Sequence, residues 1–253
     1  MTKKKVVLFV CLLVFAVLLV LNATVFTVKN IEVLDAKGVQ SEEDKVKIAD
    51  YSGIRGKNIF TVSERIATEN IEKMMPKVKV EEIIRRSPWA VEIVVSERIA
   101  IIAVKNTNNG YAIIDKDGKV LENVSDLSSF SHITVLNGVD PVNASIGQTV
   151  PLTATQLGRI KQIVMTFEQM GDNGYRDKNF CLAVSAIAFD SDAVSILMRR
   201  GAELRYNANE DSANKLFALV SFFNSNEEKR DSGVYTVNGK DTSGKYIVVE
   251  AQN

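Results

Sequence analysis

The sequence predicts an α+β protein held at a membrane by a single N-terminal helix. Three lysines precede an uncharged stretch from Val6 to Val28. After this stretch the chain contains segments of alternating apolar and polar residues, typical of strands, and amphipathic segments typical of helices. We divide the chain into a cytoplasmic tail over 1–5, a transmembrane helix over 6–26 and two exterior domains over 27–98 and 99–253. The first domain is expected to follow a β-α-α-β-β order, and the second to be a mixed sheet with a few helices.

The stretch from Val6 to Val28 is long enough to span a bilayer. A hydrocarbon core of about 30 Å needs about 20 apolar residues at about 1.5 Å each, and only a helix satisfies the backbone there. A cleaved signal peptide is the alternative, but its apolar core is shorter, and cleavage after Ala23 would place Leu21 where a small residue belongs. Because Lys3–Lys5 precede the stretch, the N-terminus is expected in the cytoplasm and the domains outside the membrane.

Composition argues against several classes of function. Lys plus Arg and Asp plus Glu number 31 each, so the chain lacks the basic surplus of a nucleic-acid-binding protein. The two cysteines are Cys11, inside the apolar stretch, and Cys181, and they are not expected to pair. A bridge between two copies of Cys181 is the alternative, but the alternation FCLAVSAIAF around it indicates a strand of small buried residues.

The first exterior domain is predicted from caps, breakers and alternating apolar residues. The expected elements are a strand in Thr27–Asp35, a helix capped by Ser41 and ended by Gly53, a helix with the capping box Thr61–Glu64 that ends at Pro76, and strands over Val78–Arg86 and Trp89–Arg98. Val46, Ile48 and Ala49 are expected to face a core. The second helix carries Ile66, Ile71, Met74 and Met75, and the two later strands are marked by Val80, Ile84, Val91, Ile93 and Val95. Trp89 is either a hairpin anchor or a surface contact, and the sequence leaves both open.

The second exterior domain is predicted as a longer series of strands with two helices. The strands are expected over Ile99–Val104, Tyr111–Ile114, Val120–Leu121, Ile133–Leu136, Phe180–Phe189, Ala193–Met198, Ala202–Tyr206, Val234–Val237 and Tyr246–Val249. One helix is capped by Thr153 or Thr155 and runs to Met170, and the other spans Asp211–Asn224.

The residues that carry chemistry do not form a recognisable catalytic set. His132 is the only histidine and has no neighbouring nucleophile or second ligand, while Asp115 and Asp117 lie in a tight turn that we interpret as structural. Ser212–Lys215 matches SxxK but lacks the companion SDN and KTG motifs. We therefore expect no enzyme activity, no metal, no cofactor and no small-molecule substrate. A signal-anchored enzyme of the cell envelope is the alternative.

Several segments together resemble the FtsQ/DivIB family of bacterial cell-division proteins. These are FTVKNIEV, SGIRGKNIFTV and RRSPWAVEIVVSER after the apolar stretch, and the ID-x-x-G of Ile114, Asp115 and Gly118. The resemblance is dense to about Gly118 and thinner afterwards. It implies a POTRA domain, a β domain, and a non-catalytic role as a single-pass membrane scaffold of the divisome at the septum.

The last predicted strand is the candidate partner-binding site. It comprises Tyr246, Ile247, Val248, Val249 and Glu250, and it is expected to pair on one side with Gly233–Val237. If it lies at a sheet edge, its free backbone groups can pair with a strand of another protein. The resemblance implies an FtsB/DivIC-type partner within a complex with an FtsL-type protein. The alternative is that the strand only completes the fold.

Overall fold

The computed structural model describes two compact units, the first ending at Arg98 and the second beginning at Ile99. The described residues are 9–17, 20, 25–36, 40–170, 176–208 and 211–251. Within the predicted membrane stretch, residues 9–17 and 20 are helical. Val25 and Phe26 form a turn and a bend, so the predicted end of the helix at residue 26 was wrong: the Phe26 carbonyl accepts from the Ile59 N–H, and Thr27 pairs with Asn58. The tail over 1–5 and the other residues of 6–24 lie outside the described residues. In the part of the chain that is described, no helix is both long and apolar enough to cross a membrane.

The first unit has the predicted β-α-α-β-β order. Its elements are β1 (Asn30–Asp35), α1 (Glu42–Tyr51), a 3₁₀ turn (Ile59–Thr61), α2 (Glu64–Met74), β2 (Val78–Ser87) and β3 (Ala90–Glu97). The sheet order is β1-β3-β2, with β1 parallel and β2 antiparallel to β3. Residues from the strands and from both helices share one buried cluster.

The two helices of this unit begin at serine caps. Ser41 Oγ accepts a hydrogen bond from the Asp44 N–H at 3.1 Å, which confirms the predicted cap of α1. The cap of α2 is Ser63, whose Oγ accepts from the Ile66 N–H at 3.4 Å. The prediction of Thr61 was wrong because that residue closes the 3₁₀ turn, where its hydroxyl donates to the Asn58 carbonyl.

A bulge changes the inward-facing residues of β2. The pairing register with β3 shifts between Val80 and Glu82, which moves the later side chains by one position. Ile83 is therefore buried and Ile84, one of the residues that marked this strand, is only half-buried.

Three apolar residues of the helices are exposed, and the prediction that Val46 faces the core was wrong. Val46, Ile66 and Met74 have 61%, 45% and 58% of their surface accessible. Each helix meets the sheet along a narrow line of contact, at Ile48 and Ala49 in α1 and at Ala67 and Ile71 in α2, so apolar residues off that line face solvent.

The second unit is a nine-stranded mixed sheet with three helices. Its elements are β4 (Ile102–Lys105), β5 (Tyr111–Ile114), β6 (Val120–Val124), β7 (Thr134–Asn137), α3 (Ala154–Met170), α4 (Arg176–Ala183), β8 (Val184–Asp190), β9 (Ala193–Met198), β10 (Glu203–Asn207), α5 (Ser212–Ser225), a 3₁₀ turn (Glu227–Arg230), β11 (Val234–Lys240) and β12 (Tyr246–Glu250). The strand order is β12-β11-β10-β9-β8-β7-β4-β5-β6.

The helix α4 was not predicted, and it replaces the beginning of the expected strand Phe180–Phe189. The neighbouring residues Phe180 and Cys181 are both buried, as adjacent positions on one face of a helix can be, whereas a strand with one buried face alternates. Burial raises the pKa of the Cys181 thiol to about 11, and its Sγ lies 3.8 Å from the Ile101 carbonyl oxygen. The thiol is therefore a core group with little access for a bridge to another chain.

A candidate strand-docking edge in the second unit

The strand β12 lies at one end of the nine-stranded sheet. It pairs antiparallel with β11, with Tyr235 opposite Glu250, Thr236 opposite Val249 and Val237 opposite Val248. Among the described residues, no strand pairs with its other side. The five residues predicted as a partner-binding strand thus form an edge strand with one unoccupied side.

The pairing register shows which backbone groups of β12 point outward. The Ala251 N–H donates to the Val234 carbonyl at 2.7 Å, and the Asp241 N–H donates to the Lys245 carbonyl at 2.7 Å. In an antiparallel pair the backbone groups of successive residues point alternately toward and away from the partner strand. Because Lys245 and Ala251 point toward β11, the residues Tyr246, Val248 and Glu250 direct their N–H and C=O groups to the free side.

A groove of about 640 Å³ lies between β12 and the helix α5. Tyr246 and Val248 line its strand side, and Asn214, Phe217 and Ser221 line its helix side at the three- and four-residue spacing of one helix face. The Phe217 side chain is 52% exposed, although it is large and apolar. An apolar side chain from a docked segment could therefore be buried in this groove.

Buried aromatic rings support the groove from below. Tyr235, on the strand next to β12, is 2% exposed, and its ring centroid lies 5.1 Å from Phe223 and 5.7 Å from Phe222. Val237 and Val248 pack against the same core. The helix side of the β11–β12 hairpin is therefore fixed to the hydrophobic core, which holds the edge in place.

Polar contacts at Asp211 attach the beginning of β12 to the beginning of α5. The Tyr246 hydroxyl donates to Asp211 Oδ2, Lys240 Nζ lies 3.0 Å from the same oxygen, and Asn214 Nδ2 donates to Oδ1. Hydrogen bonds from Tyr246, Lys240 and Asn214 lower the pKa of Asp211 to about 2. The Lys240 ammonium also lies 4.5 Å from the centroid of the Tyr246 ring. Asp211 itself has a left-handed backbone, with φ of 67°.

The opposite edge of the sheet is covered by the chain itself. The Val120 N–H donates to the Gln148 carbonyl and the Gly147 N–H donates to the Val120 carbonyl, both at 2.8 Å. The amide of Asn123 donates to the Ala144 carbonyl at 3.2 Å. The two ends of the sheet thus differ, since a segment over 144–150 lies along β6 whereas the described residues leave the free side of β12 open.

The other residues that the sequence singled out lie away from this edge or have structural roles. Asp115 Oδ1 accepts hydrogen bonds from the N–H groups of Asp117 and Lys119 at 2.9 and 2.8 Å, which confirms the structural turn. His132 is exposed after β6, and Ser212 begins α5. No group of three or more His, Cys, Asp or Glu side chains that could hold a metal occurs among the described residues.

Sequence reasoning found the edge strand but missed the groove beside it. The predicted helix stripe of Leu216, Leu219, Val220 and Phe223 is buried as expected. Phe217 lies off that stripe, and a large apolar residue on the polar side of a helix was the available signal. Asp211 was missed because its partners Lys240 and Tyr246 lie about thirty residues further along the chain.

Comparison with known proteins gives one informative match. The chain is 32% identical over 158 residues to the "Cell division protein DivIB" of Clostridium acetobutylicum, and the match covers 61% of this chain and 58% of that protein. The matched region is thus less than two thirds of that relative's length. No family model matches the chain.

A solved structure is also similar over part of the chain. It is the major extracytoplasmic domain of the trans isomer of the bacterial cell division protein DivIB from Geobacillus stearothermophilus, at 17% identity, with 53% of this chain and 97% of that chain covered. The TM-score of 0.30 is too low to support an argument. The sequence match to the Clostridium protein confirms that this chain resembles the FtsQ/DivIB family of cell-division proteins.

Proposed function

We propose that this protein is a non-catalytic scaffold of the bacterial division machinery, anchored in the cell membrane by a single helix within residues 6–24. Its N-terminus lies in the cytoplasm, and both units lie outside the membrane at the division septum. It links division proteins of the FtsB/DivIC and FtsL types during septum formation. The observation that carries the proposal is the open edge of β12 beside an apolar groove.

The chemistry of this edge fits a partner that supplies an extended segment. Three outward N–H and C=O pairs, on Tyr246, Val248 and Glu250, provide the hydrogen bonds of strand addition. The groove receives apolar side chains on one face of the added strand, while Ile247, 43% exposed, offers an apolar contact on the other face. The sequence similarity to DivIB supports the choice of a division protein as the partner.

Photocross-linking in cells tests the proposal with the full chain. A photoreactive amino acid is placed at Ile247, next to the free side of β12, and the chain is expressed with the FtsB/DivIC-type protein of the same bacterium. The matched control carries the same amino acid at Asn123, an exposed position on β6, whose edge is covered. We expect a light-dependent product of the two proteins from the first position and none from the second.

Two outcomes would contradict the proposal. The first is the absence of any product at Ile247 although a fluorescent fusion of the same chain collects at the septum. The second is an equal yield from both positions, which would show that proximity in the membrane, and not the edge of β12, accounts for the product.

A further inference from the structure

The end of the first unit at which the chain enters carries an exposed tryptophan. The N–H groups of Lys29 and Asn30 donate to the Trp89 carbonyl at 2.9 and 3.1 Å, so the β2–β3 turn lies beside the beginning of β1. The parallel pairing of Asn30 with Ala90 fixes this arrangement. Trp89 is 45% exposed, although tryptophan is the largest apolar side chain of the protein. The structure therefore assigns Trp89 to the surface.

A second exposed aromatic residue lies at the same end. The Val28 N–H donates to the Lys57 carbonyl, the Gly56 N–H donates to the Val28 carbonyl, and the Ile59 N–H donates to the Phe26 carbonyl, all at 2.8–2.9 Å. These bonds hold the loop before α2 against the incoming chain. Phe60 is 71% exposed, and its ring centroid lies 5.1 Å from that of Phe26.

Three cations lie on the same segments as these aromatic residues, and Arg55 Nη1 donates to the Lys29 carbonyl at 3.1 Å. Lys29, Arg55 and Lys57 are exposed, and none has an ion-pair partner among the described residues. The loop from Ser52 to Ser63 contains no acidic residue. We name the six residues Phe26, Lys29, Arg55, Lys57, Phe60 and Trp89 the aromatic–basic end.

Of the acidic side chains on the adjoining elements, two are paired with other cations, and two more, Glu32 of β1 and Asp50 of α1, are exposed. Glu64, the first residue of α2, lies 3.2 Å from Arg85, and Glu92 of β3 makes two hydrogen bonds of 2.8 Å to Arg86. The aromatic–basic end itself carries three positive charges and no acidic side chain, which favours the binding of an anion.

The position of this end along the chain identifies its partner. Val25 and Phe26 form a turn and a bend, so the proposed membrane helix within 6–24 would have at most 19 residues and a length of about 29 Å at about 1.5 Å per residue, close to a hydrocarbon core of about 30 Å. Phe26 would thus lie at the boundary with the headgroups. Phe60 lies against Phe26. Lys29 follows Phe26 three residues later along the chain, and its N–H donates to the Trp89 carbonyl.

We propose that the aromatic–basic end binds the outer headgroup layer of the bilayer in which the chain is anchored, with Phe60 and Trp89 among the headgroups and the three cations on lipid phosphates. Aromatic rings prefer this interfacial layer, and lysine and arginine near it are attracted to anionic lipids. This inference rests on the membrane anchor of the proposed function, and it adds a second contact that fixes the orientation of the first unit on the membrane.

Trp89 is the only tryptophan of the chain, so its fluorescence reports on this surface directly. The full chain is reconstituted into vesicles of phosphatidylcholine and phosphatidylglycerol, with the phosphatidylcholine brominated near the headgroup. If the ring lies in the interfacial layer, bromine should reduce its emission about twofold. The matched control is Trp89→Phe combined with Met74→Trp, because Met74 is 58% exposed and ends α2, about 15 Å from its beginning. The control emission should not change.

A second arm tests the charges. Replacement of Lys29, Arg55 and Lys57 by glutamine should weaken the quenching of Trp89 in vesicles that contain phosphatidylglycerol. If the quenching is equal with and without these cations, the assignment of lipid phosphates is wrong.

Flotation of the vesicles separates failure of this inference from failure of the anchor. A chain that floats with the vesicles but shows no quenching of Trp89 overturns the inference and leaves the anchor intact. A chain that does not float shows that the proposed anchor is wrong. An emission that changes only when a partner division protein is added also overturns the inference, because it assigns this surface to protein contact.

Discussion

Proline substitutions along β12 test the outward and inward positions that its register assigns. Val248→Pro removes an N–H that points to the free side, and the pairing with β11 does not use that group. A docked partner strand would lose the hydrogen bond to this group, and its carbonyl would remain unpaired. An unpaired buried carbonyl costs about 1–3 kcal/mol, which corresponds to binding weaker by about 5- to 150-fold.

The comparison that isolates the backbone effect is Val248→Ala. Both variants lose the valine side chain from the groove, but only the proline variant loses the N–H. Affinity for the purified FtsB/DivIC-type partner is measured by titration calorimetry, with both chains in detergent. The two variants should differ by the factor above, and the same difference should separate Glu250→Pro from Glu250→Ala.

The neighbouring position provides the opposite result. Val249 faces Thr236 as a hydrogen-bonded pair, so Val249→Pro should break the ladder with β11 and lower the melting temperature of the second unit. Val248→Pro should melt close to the original protein. If Val248→Pro and Glu250→Pro both bind as well as their alanine counterparts, strand addition at β12 is refuted. If Val249→Pro is as stable as Val248→Pro, the register argument is wrong.

Three further predictions concern the stability of the units. Asp211 has a pKa of about 2 in the folded protein against an ordinary value of 3.8, so its ionised carboxylate stabilises the fold above about pH 4, and this stabilisation is lost as the pH falls through 2. Hydrogen exchange of the β12 amides should show this acid-dependent opening. The Asp211→Asn variant should not show the pH dependence. Gly138→Ala places a Cβ 1.9 Å from a β8 carbonyl oxygen at φ 72°, so it should lower the free energy of unfolding by about 1–3 kcal/mol or more in chemical denaturation. Gly158→Ala, in a helix with open space around it, should instead raise it by about 0.5–1 kcal/mol, and equal effects would contradict the steric reasoning. Glu72→Ala removes the carboxylate that lies 2.7 Å from the buried Arg98 guanidinium, and the first unit should lose about 3–5 kcal/mol in the same assay; a loss below 1 kcal/mol would show that the pair is not structural.

The elements that the sequence predicts well are those whose signals are local. The cap of α1 at Ser41 and the buried stripe of α5 depend on neighbours within about one turn, and both were found at the expected residues. The hairpin of β4 and β5 likewise depends on the turn between them. Local signals therefore sufficed for the order of the elements in both units.

The wrong predictions share a cause that lies beyond local sequence. Val46 was expected to face the core because it is an apolar residue of α1, but the contact of α1 is made at Ile48 and Ala49. In β2, only the pairing with β3 reveals the bulge that buries Ile83 rather than Ile84. The helix α4 was missed because small residues after Cys181 suit a strand as well as a helix, and α4 is held by contacts with α3 and β8. In each case a tertiary contact overrode a short local pattern.

The groove beside β12 illustrates the same limit for the site. The sequence indicates the last strand and the apolar helix stripe separately, but their proximity depends on the position of β12 at the end of the strand order. The attachment of Tyr246 and Lys240 to Asp211 depends on that order as well. The edge could thus be proposed from the sequence, whereas the groove required the sheet topology.

The contrast between the two sheet ends connects this topology with function. Proteins protect an exposed edge strand with lysine, proline, a bulge or a covering segment, since an open edge promotes aggregation. At β6 the segment over 144–150 covers the edge, so this fold does use such protection. β12 has the sequence YIVVE, without lysine or proline, and the bulge of this hairpin lies in β11. An apolar edge that is attached to Asp211 and to the core, and is covered by no described segment, fits the partner strand that we propose for it.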